Sequence, residues 1–526
     1  MRCQGRHVPS DDAEGDATRR LTRRGVIAGA GAVAAVAGGK AMFAPLAAAA
    51  DTTRSPAGGA AKAVPVAPDR PWKHAIGDPR GSDIVLTAGR YREARFGVMF
   101  KDLPGFSPPD GLLRELAAQM GEPAGATLDN PDILAGDTFL GQFIDHDMTF
   151  DTTPMPEQQV DPNGLVNFDS PYFDLASVYG RGPQLDPALY EPDGKHMRIV
   201  RNAEGVDDLP RRADGTAIIG DPRNDENLIL AQLHLLFLKF HNRCLDTGLA
   251  KTLAEAQRLT RWHFQWLIVN SFLATVAGAD VVARFLVGTP PRVKREFYKP
   301  VNVTRPMMPI EYSVAAYRFG HSMVRAGYTL NAAGGAPMFA PDGPDLRGAR
   351  PLPAAFRIEW WRFFEVGGAP SGTRNQARLI DAKLAIPLLN LPPTVVSDPM
   401  VSLAERNLIR GKRLGLAAGQ DVARTMGLAP LSNLELGLPD PGNPGWGGKA
   451  PLWFYLLREA EIRQGGRRLG PAGGRLITEV ILGILICDRT SYLNAPTTWR
   501  PAAPIAPAGR FTVGEFVTFA QGGSAG

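Results

Sequence analysis

Cysteine is nearly absent from this 526-residue chain, with only Cys3, Cys244 and Cys487. Cys3 falls in the N-terminal leader described below, so the remaining two allow one disulfide at most and no thiolate metal centre. Cys244 in FHNRCL and Cys487 in ILICD read as small buried hydrophobes. Histidine is also scarce, at eight residues. None forms an HxxxH or HExxH pair, which leaves a zincin-like site without its ligand spacing. Charge of one sign is weak: the formal net charge is +5, residues 1–50 carry seven Lys/Arg against four Asp/Glu, and +5 less that +3 leaves +2. With no RNP, zinc-finger or Lys/Arg-run signature, nucleic acid has no electrostatic footprint to bind. Outside the N-terminus no apolar stretch reaches the roughly 20 residues of a transmembrane helix.

What is present begins with an export signal. Thr22-Arg23-Arg24-Gly25-Val26-Ile27 opens a weakly apolar run, Gly25–Gly39, and Ala48-Ala49-Ala50 precedes Asp51 with small residues suited to cleavage. Residues 1–50 therefore read as a twin-arginine signal peptide and the mature protein as secreted or periplasmic, with no membrane span. Residues 51–92, rich in Ala, Pro and Gly, read as an N-terminal arm, and residues 93–526 as one large domain. Helical periodicity runs through Asp110–Met120, Asp132–Met148, Asn224–Thr247, Thr252–Ala277, Glu311–Val324, Asp381–Leu389, Val401–Arg410, Pro451–Gln464 and Gly473–Cys487. Strand-like alternation is sparse, and a Pro-rich tail follows Trp499. The fold class is mainly α, a single large helical domain with few short strands.

Three segments carry chemistry. DTFLGQFIDHDMTFD, Asp137–Asp151, places Gln142, Asp145 and His146 on one helical face while Phe139, Phe143 and Ile144 supply apolar packing. A polar face within an apolar helix suggests a cofactor pocket. His321 stands in AAYRFGHSM, where Gly320 lets a flat ligand approach the backbone. GDPRNDE, Gly220–Glu226, opens an apolar helix and sets Arg223 and Glu226 three apart, although Asp221, Asn224, Asp225 and Glu226 equally suit a helix N-terminus. A single histidine can serve an iron porphyrin as axial ligand without a local partner, whereas zinc wants three or four ligands. Each histidine taken alone also reads as a satisfied core residue.

Together these segments resemble the animal-type haem peroxidase superfamily, which includes the myelo-, lacto- and thyroid peroxidases and the cyclooxygenases, and within it the bacterial secreted branch. GQFIDHD, GDPRNDE and YRFGH occur in the family's order. Asn407 in ERNLIRGKRLGL and the closing SYLNAPTTWRP extend the similarity over roughly Phe96 to Phe519.

The resemblance implies haem b held by His321 as axial ligand, with Asn407 accepting a hydrogen bond from its other ring nitrogen and Arg410 holding a haem propionate. It implies His146 as acid–base catalyst, Arg223 as stabiliser of developing charge, and Gln142 as orderer of water or halide above the iron. Asp145 and Glu226 match carboxylates that form ester links to haem methyl groups. The place of the Met used in a third, sulfonium link is taken by Asn227, so that link and strong chloride oxidation are not expected. Asp147 would hold calcium together with Ser170, Tyr172 and Asp174, although the usual oxygen at position 176 is lost to Ala176. Arg318, three before His321, stands where the fatty-acid oxygenases place a radical-forming Tyr, with Tyr317 one step off. The implied activity is reduction of hydrogen peroxide through a ferryl intermediate, oxidising halide, pseudohalide or small aromatic donors. The alternatives are a haem-dependent fatty-acid dioxygenase and a non-catalytic matrix or adhesion protein.

Overall fold

In the computed structural model the described residues are 96–126, 128–149, 171–300, 306–396, 399–439 and 445–523. The expected export signal, the arm and Ser170 lie outside them.

Helix α1, Asp110–Gln119, starts after Pro109 with Asp110 in its first turn, where a carboxylate complements the helix dipole. The next helix, α2, is shorter than its periodicity suggests. It covers Ala135–Met148, and Asp129–Leu134 before it is a strand paired antiparallel with Gln376–Arg378. The cause is local: Asn130 Oδ1 accepts a hydrogen bond from Asp132 N at 3.0 Å, an Asx turn next to Pro131 that competes with helix. Helix α3 likewise begins late, at Leu228–Asp246, behind a 3-10 turn at Pro222–Asp225. Asn227 is its cap, with extended backbone and Oδ1 accepting from Leu230 N at 2.8 Å.

Helix α4, Leu253–Leu267, opens with a capping box between Thr252 and Glu255. It then runs through two π-helical turns, Ile268–Phe272 and Ala274–Gly278, into Ala279–Phe285. This corrects the expectation that no such segment exists: Leu253–Phe285 forms a 33-residue helix that is long and apolar enough to cross a membrane by length and composition only. Phe264, Leu267, Ile268, Phe272 and Leu273 of this run are buried in the core.

The segment expected as one helix over Glu311–Val324 is a π turn at Glu311–Ala315, a 3-10 turn at Ala316–Phe319 and then α5, Gly320–Met323. A hairpin follows, Gly327–Asn331 against Gly334–Pro337. Helix α6, Leu403–Arg413, is capped by Ser402, and α7, Leu452–Gln464, and α8, Pro471–Cys487, match their expected spans closely. Of the helix expected at Asp381–Leu389 only Ile386–Leu389 forms. The tail read as Pro-rich contains α9, Val513–Ala520, whose Phe516 ring lies 4.6 Å from that of Phe237 and 5.0 Å from that of Phe240.

Among the described residues every sheet has two strands, so the mainly helical class stands. The core centres on α2, α3 and α4. Phe143 stacks on Phe237 at 4.4 Å with rings nearly parallel and meets Phe264 edge-on at 5.7 Å. This aromatic cluster fixes the apolar side of α2 and so orients the opposite side, which bears the polar residues. Cys244 and Cys487 are both buried and unbridged, as expected, and burial pushes the Cys244 thiol up to about 12.

Candidate functional site

The polar face of α2 meets the turn before α3. Gln142 Nε2 donates to Glu226 Oε2 at 3.4 Å, and Asn227 Nδ2 donates to Gln142 Oε1 at 3.3 Å. Asn227 thus has a double use, as helix cap and as partner of Gln142. His146 Nδ1 lies 2.9 Å from Asn224 Oδ1. Asp145 accepts from the Thr149 hydroxyl at 3.2 Å.

Arg223 is clamped between the same two segments. Its Nη2 donates to His146 O at 3.0 Å, to Thr149 O and to Asp221 Oδ2 at 2.8 Å, while Asp221 Oδ1 accepts from Arg223 N at 2.9 Å. Burial alone would lower the guanidinium pKa, but the Asp221 carboxylate, with Asp145 and Glu226 nearby, raises it above its ordinary value. Arg223 is therefore a fixed cation in a site with three surrounding carboxylates.

Depth and accessibility combine unusually here. Desolvation pushes Glu226 up to about 7 against the counter-pull of Arg223. Its side chain nevertheless remains accessible, as do, in part, those of Gln142, Asp145 and Arg223.

The second histidine sits on an adjoining helix. Tyr317 OH donates to Gly141 O at 3.2 Å, joining the turn before α5 to the middle of α2. A Cβ placed on Gly320 would meet nothing within 4 Å, so open space lies beside His321. Burial, with Arg318 nearby, pushes the His321 pKa down to about 3, which keeps the imidazole neutral and able to ligate a metal. Asn407 of α6 stands 2.8 Å from His321 Nδ1, as expected, but with reversed polarity: its Nδ2 faces the ring while its Oδ1 accepts from Arg318 Nη1 at 3.4 Å. Arg318 Nε also donates to Ser313 O at 3.0 Å. Arg410 follows Asn407 by three positions on the same helix. A neutral, half-buried histidine, a glycine opening onto space and a desolvated set of polar groups fit a haem group.

The expected calcium residues fit an ion less well. Asp147 is fully buried, with Oδ2 accepting from Leu175 N at 2.9 Å and Oδ1 from Ser177 N at 3.2 Å and Ser177 Oγ at 3.0 Å. Asp174 Oδ1 accepts from Ala176 N at 3.1 Å, and Tyr172 is buried nearby in sequence. Among the described residues no three His, Cys, Asp or Glu side chains gather in a way that could hold a metal. Asp147 is held by N–H and O–H donors, which draw on the same carboxylate lone pairs that a cation would use.

Sequence reasoning assigned Asn224 and Asp221 only to helix capping and gave His234 no role. Asp221 does cap the turn, yet it also holds Arg223. Asn224 bridges two histidines, one 78 and the other 10 residues away from it in sequence, a pairing that no local spacing rule displays.

Fold and site together define a mainly helical protein in which the polar face of α2 meets the turn before α3, with a second histidine, His321, on an adjoining helix. Residues 132–338 match the animal haem peroxidase family model. Among curated relatives it is 24% identical over 380 residues to a chorion peroxidase of Aedes aegypti, covering 68% of this chain and 45% of that protein. It is 25% identical over 318 residues to the thyroid peroxidase of Rattus norvegicus, covering 52% of this chain and 31% of that protein. The chain thus spans less than half the length of these relatives. Its fold resembles peroxidase A of Dictyostelium discoideum, with TM-score 0.55 at 18% identity over 76% of this chain and 89% of that one. It also resembles a fatty acid alpha-dioxygenase of Arabidopsis thaliana, with TM-score 0.52 at 14% identity over 75% of this chain and 73% of that one.

Proposed function

We propose that this chain is an exported haem peroxidase that reduces hydrogen peroxide and oxidises a small donor such as a halide, a pseudohalide or an aromatic. The observation that carries the reading is the meeting of Gln142, His146, Arg223 and Glu226, from segments about 80 residues apart, at one desolvated site. Haem, when bound, supplies a redox-active iron. His321 would ligate the iron, and Asn407 would orient that ring once its oxygen turns toward Nδ1. Arg410 would hold a propionate by a charge-assisted bond.

His146 takes a proton from hydrogen peroxide and returns it to the departing oxygen. Arg223, already fixed by Asp221 and two carbonyls, stabilises negative charge as the O–O bond breaks without having to reorganise. Gln142 orders water or halide. Asp145 and Glu226 are the carboxylates available for ester links to haem. Asn227, engaged with Gln142 and Leu230 N, offers no sulfonium link. Arg318, tied to Ser313 O, stands where a lipid oxygenase of this superfamily would carry its Tyr, which favours peroxidase over dioxygenase. The calcium expectation has its support in the motif alone.

The test is the haemin-loaded protein, assayed for a Soret band and for peroxide-dependent oxidation of iodide and guaiacol. His146→Ala should lower the rate by about 10²–10⁴-fold. Oxygen uptake with linoleate and no added peroxide would favour the dioxygenase. Full haem occupancy without either activity would leave the non-catalytic alternative.

A further inference from the structure

His146 is coupled to a second histidine. His234 on α3 is fully buried, with its ring edge-on to Phe143 at 6.0 Å. Burial pushes its pKa down to about 3, so the ring is neutral. Asn224, also fully buried, reaches both rings, with Oδ1 2.9 Å from His146 Nδ1 and Nδ2 3.0 Å from His234 Nδ1. A side-chain amide has one accepting end and one donating end, so two neutral imidazoles bonded to those ends cannot choose their tautomers independently. With the amide nitrogen on His234, that ring accepts at Nδ1 and carries its proton on Nε2. The amide oxygen then requires Nδ1–H on His146, which puts the His146 lone pair on Nε2. Rotating the amide by 180° reverses both rings.

His234 Nε2 makes no hydrogen bond to any described residue. A buried polar atom without a partner costs stability, so core filling alone would be better served by a leucine. The cost is understandable if the ring's other nitrogen has a task.

We propose that His234 is a positioning residue which, acting through Asn224, holds His146 in the tautomer with a basic Nε2. The inference rests on the reading of His146 as the peroxide base. It concerns which nitrogen carries the proton, and it involves no change in the number of protons bound.

Two measurements test it on the full chain. The first is 15N chemical shifts of the histidine rings, on the haem-free protein and on the diamagnetic ferrous carbonyl form. His146 should show protonated Nδ1 and unprotonated Nε2 in the wild type, and a mixture of tautomers in His234→Leu. The second is the rate of cyanide association with the ferric protein, since hydrogen cyanide must give its proton to the distal base. His234→Leu and Asn224→Leu should each slow association by about tenfold or more, as losing a bond that orients a working histidine does. The double variant should lose no more than Asn224→Leu alone, because one residue acts through the other. His234→Gln, which keeps an acceptor for the Asn224 amide, should recover most of the rate and guards against a His234→Leu chain that does not fold. An unchanged His146 tautomer in His234→Leu, or additive losses in the double variant, would overturn the proposal. Failure to bind haem would sink the peroxidase reading instead, and the ring shifts of the haem-free chain would still report the coupling.

Discussion

The amide nitrogen of Asn407 lies 2.8 Å from His321 Nδ1 while its oxygen accepts from Arg318 Nη1 at 3.4 Å. A metal on His321 Nε2 requires the opposite polarity, with Nδ1–H donating to the amide oxygen. The long Arg318 contact is weak enough to give way when the amide turns. Asn407→Leu should therefore lower haem affinity by about 10–100-fold. Haemin titration followed at the Soret band measures this, and an affinity equal to wild type would remove Asn407 from the ligand's support.

Arg223 has a structural and a chemical duty, and two substitutions separate them. Arg223→Leu strands Asp221, which is fully buried, and should destabilise the protein by about 3–5 kcal/mol, as breaking a buried ion pair does. Arg223→Lys keeps a cation for Asp221 but loses the planar fork. It should melt in urea nearer to wild type while slowing the peroxide reaction by about 10²–10³-fold. Equal stability loss in both variants would show that charge is not what Asp221 needs.

Acid stability follows from four histidines. Burial pushes His234 and His321 down to about 3, and His241 and His263 down to about 4. Their folded pKa values lie below the ordinary value near 6.5, so between about pH 6.5 and 4 the unfolded chain binds more protons than the folded one. Stability is full above pH 6.5 and falls as pH drops through that window. Melting temperatures from pH 7.5 to 4.5 should decline, and His263→Phe, remote in role from the haem site, should flatten the slope. A slope unaffected by that change would contradict the assignment of His263 as a buried neutral ring.

Chelation should be nearly silent. With Asp147 held by Leu175 N, Ser177 N and Ser177 Oγ, EDTA treatment should move the melting temperature by no more than about a degree. Asp147→Ala, which strands those donors, should cost about 1–3 kcal/mol. A fall of many degrees on chelation, restored by calcium, would return the site to the ion.

The periodicity of the long helices was readable because Phe143, Phe237 and Phe264 fall on faces that pack together, and α7 and α8 begin and end near their expected residues. Starts were less readable. Asn130 and Asn227 each divert the backbone with a side-chain oxygen, and hydrophobic pattern alone gives no weight to such caps. The breaks at Ala316 and Gly320 were hidden because π, 3-10 and α turns share similar apolar patterning. Gln142, Arg223 and Glu226 could be grouped from motif order, and they do converge. Asn224 could not, since its meaning lies in two histidines reached by tertiary packing.

The most direct measurement is stopped-flow absorbance of the haem-loaded chain mixed with hydrogen peroxide, with wild type beside His146→Gln. The expected result is rapid loss of the resting Soret band in wild type and a rate lower by about 10²–10⁴-fold in the variant. A wild-type spectrum indifferent to peroxide at full haem occupancy, or a His146→Gln rate equal to wild type, would contradict the account.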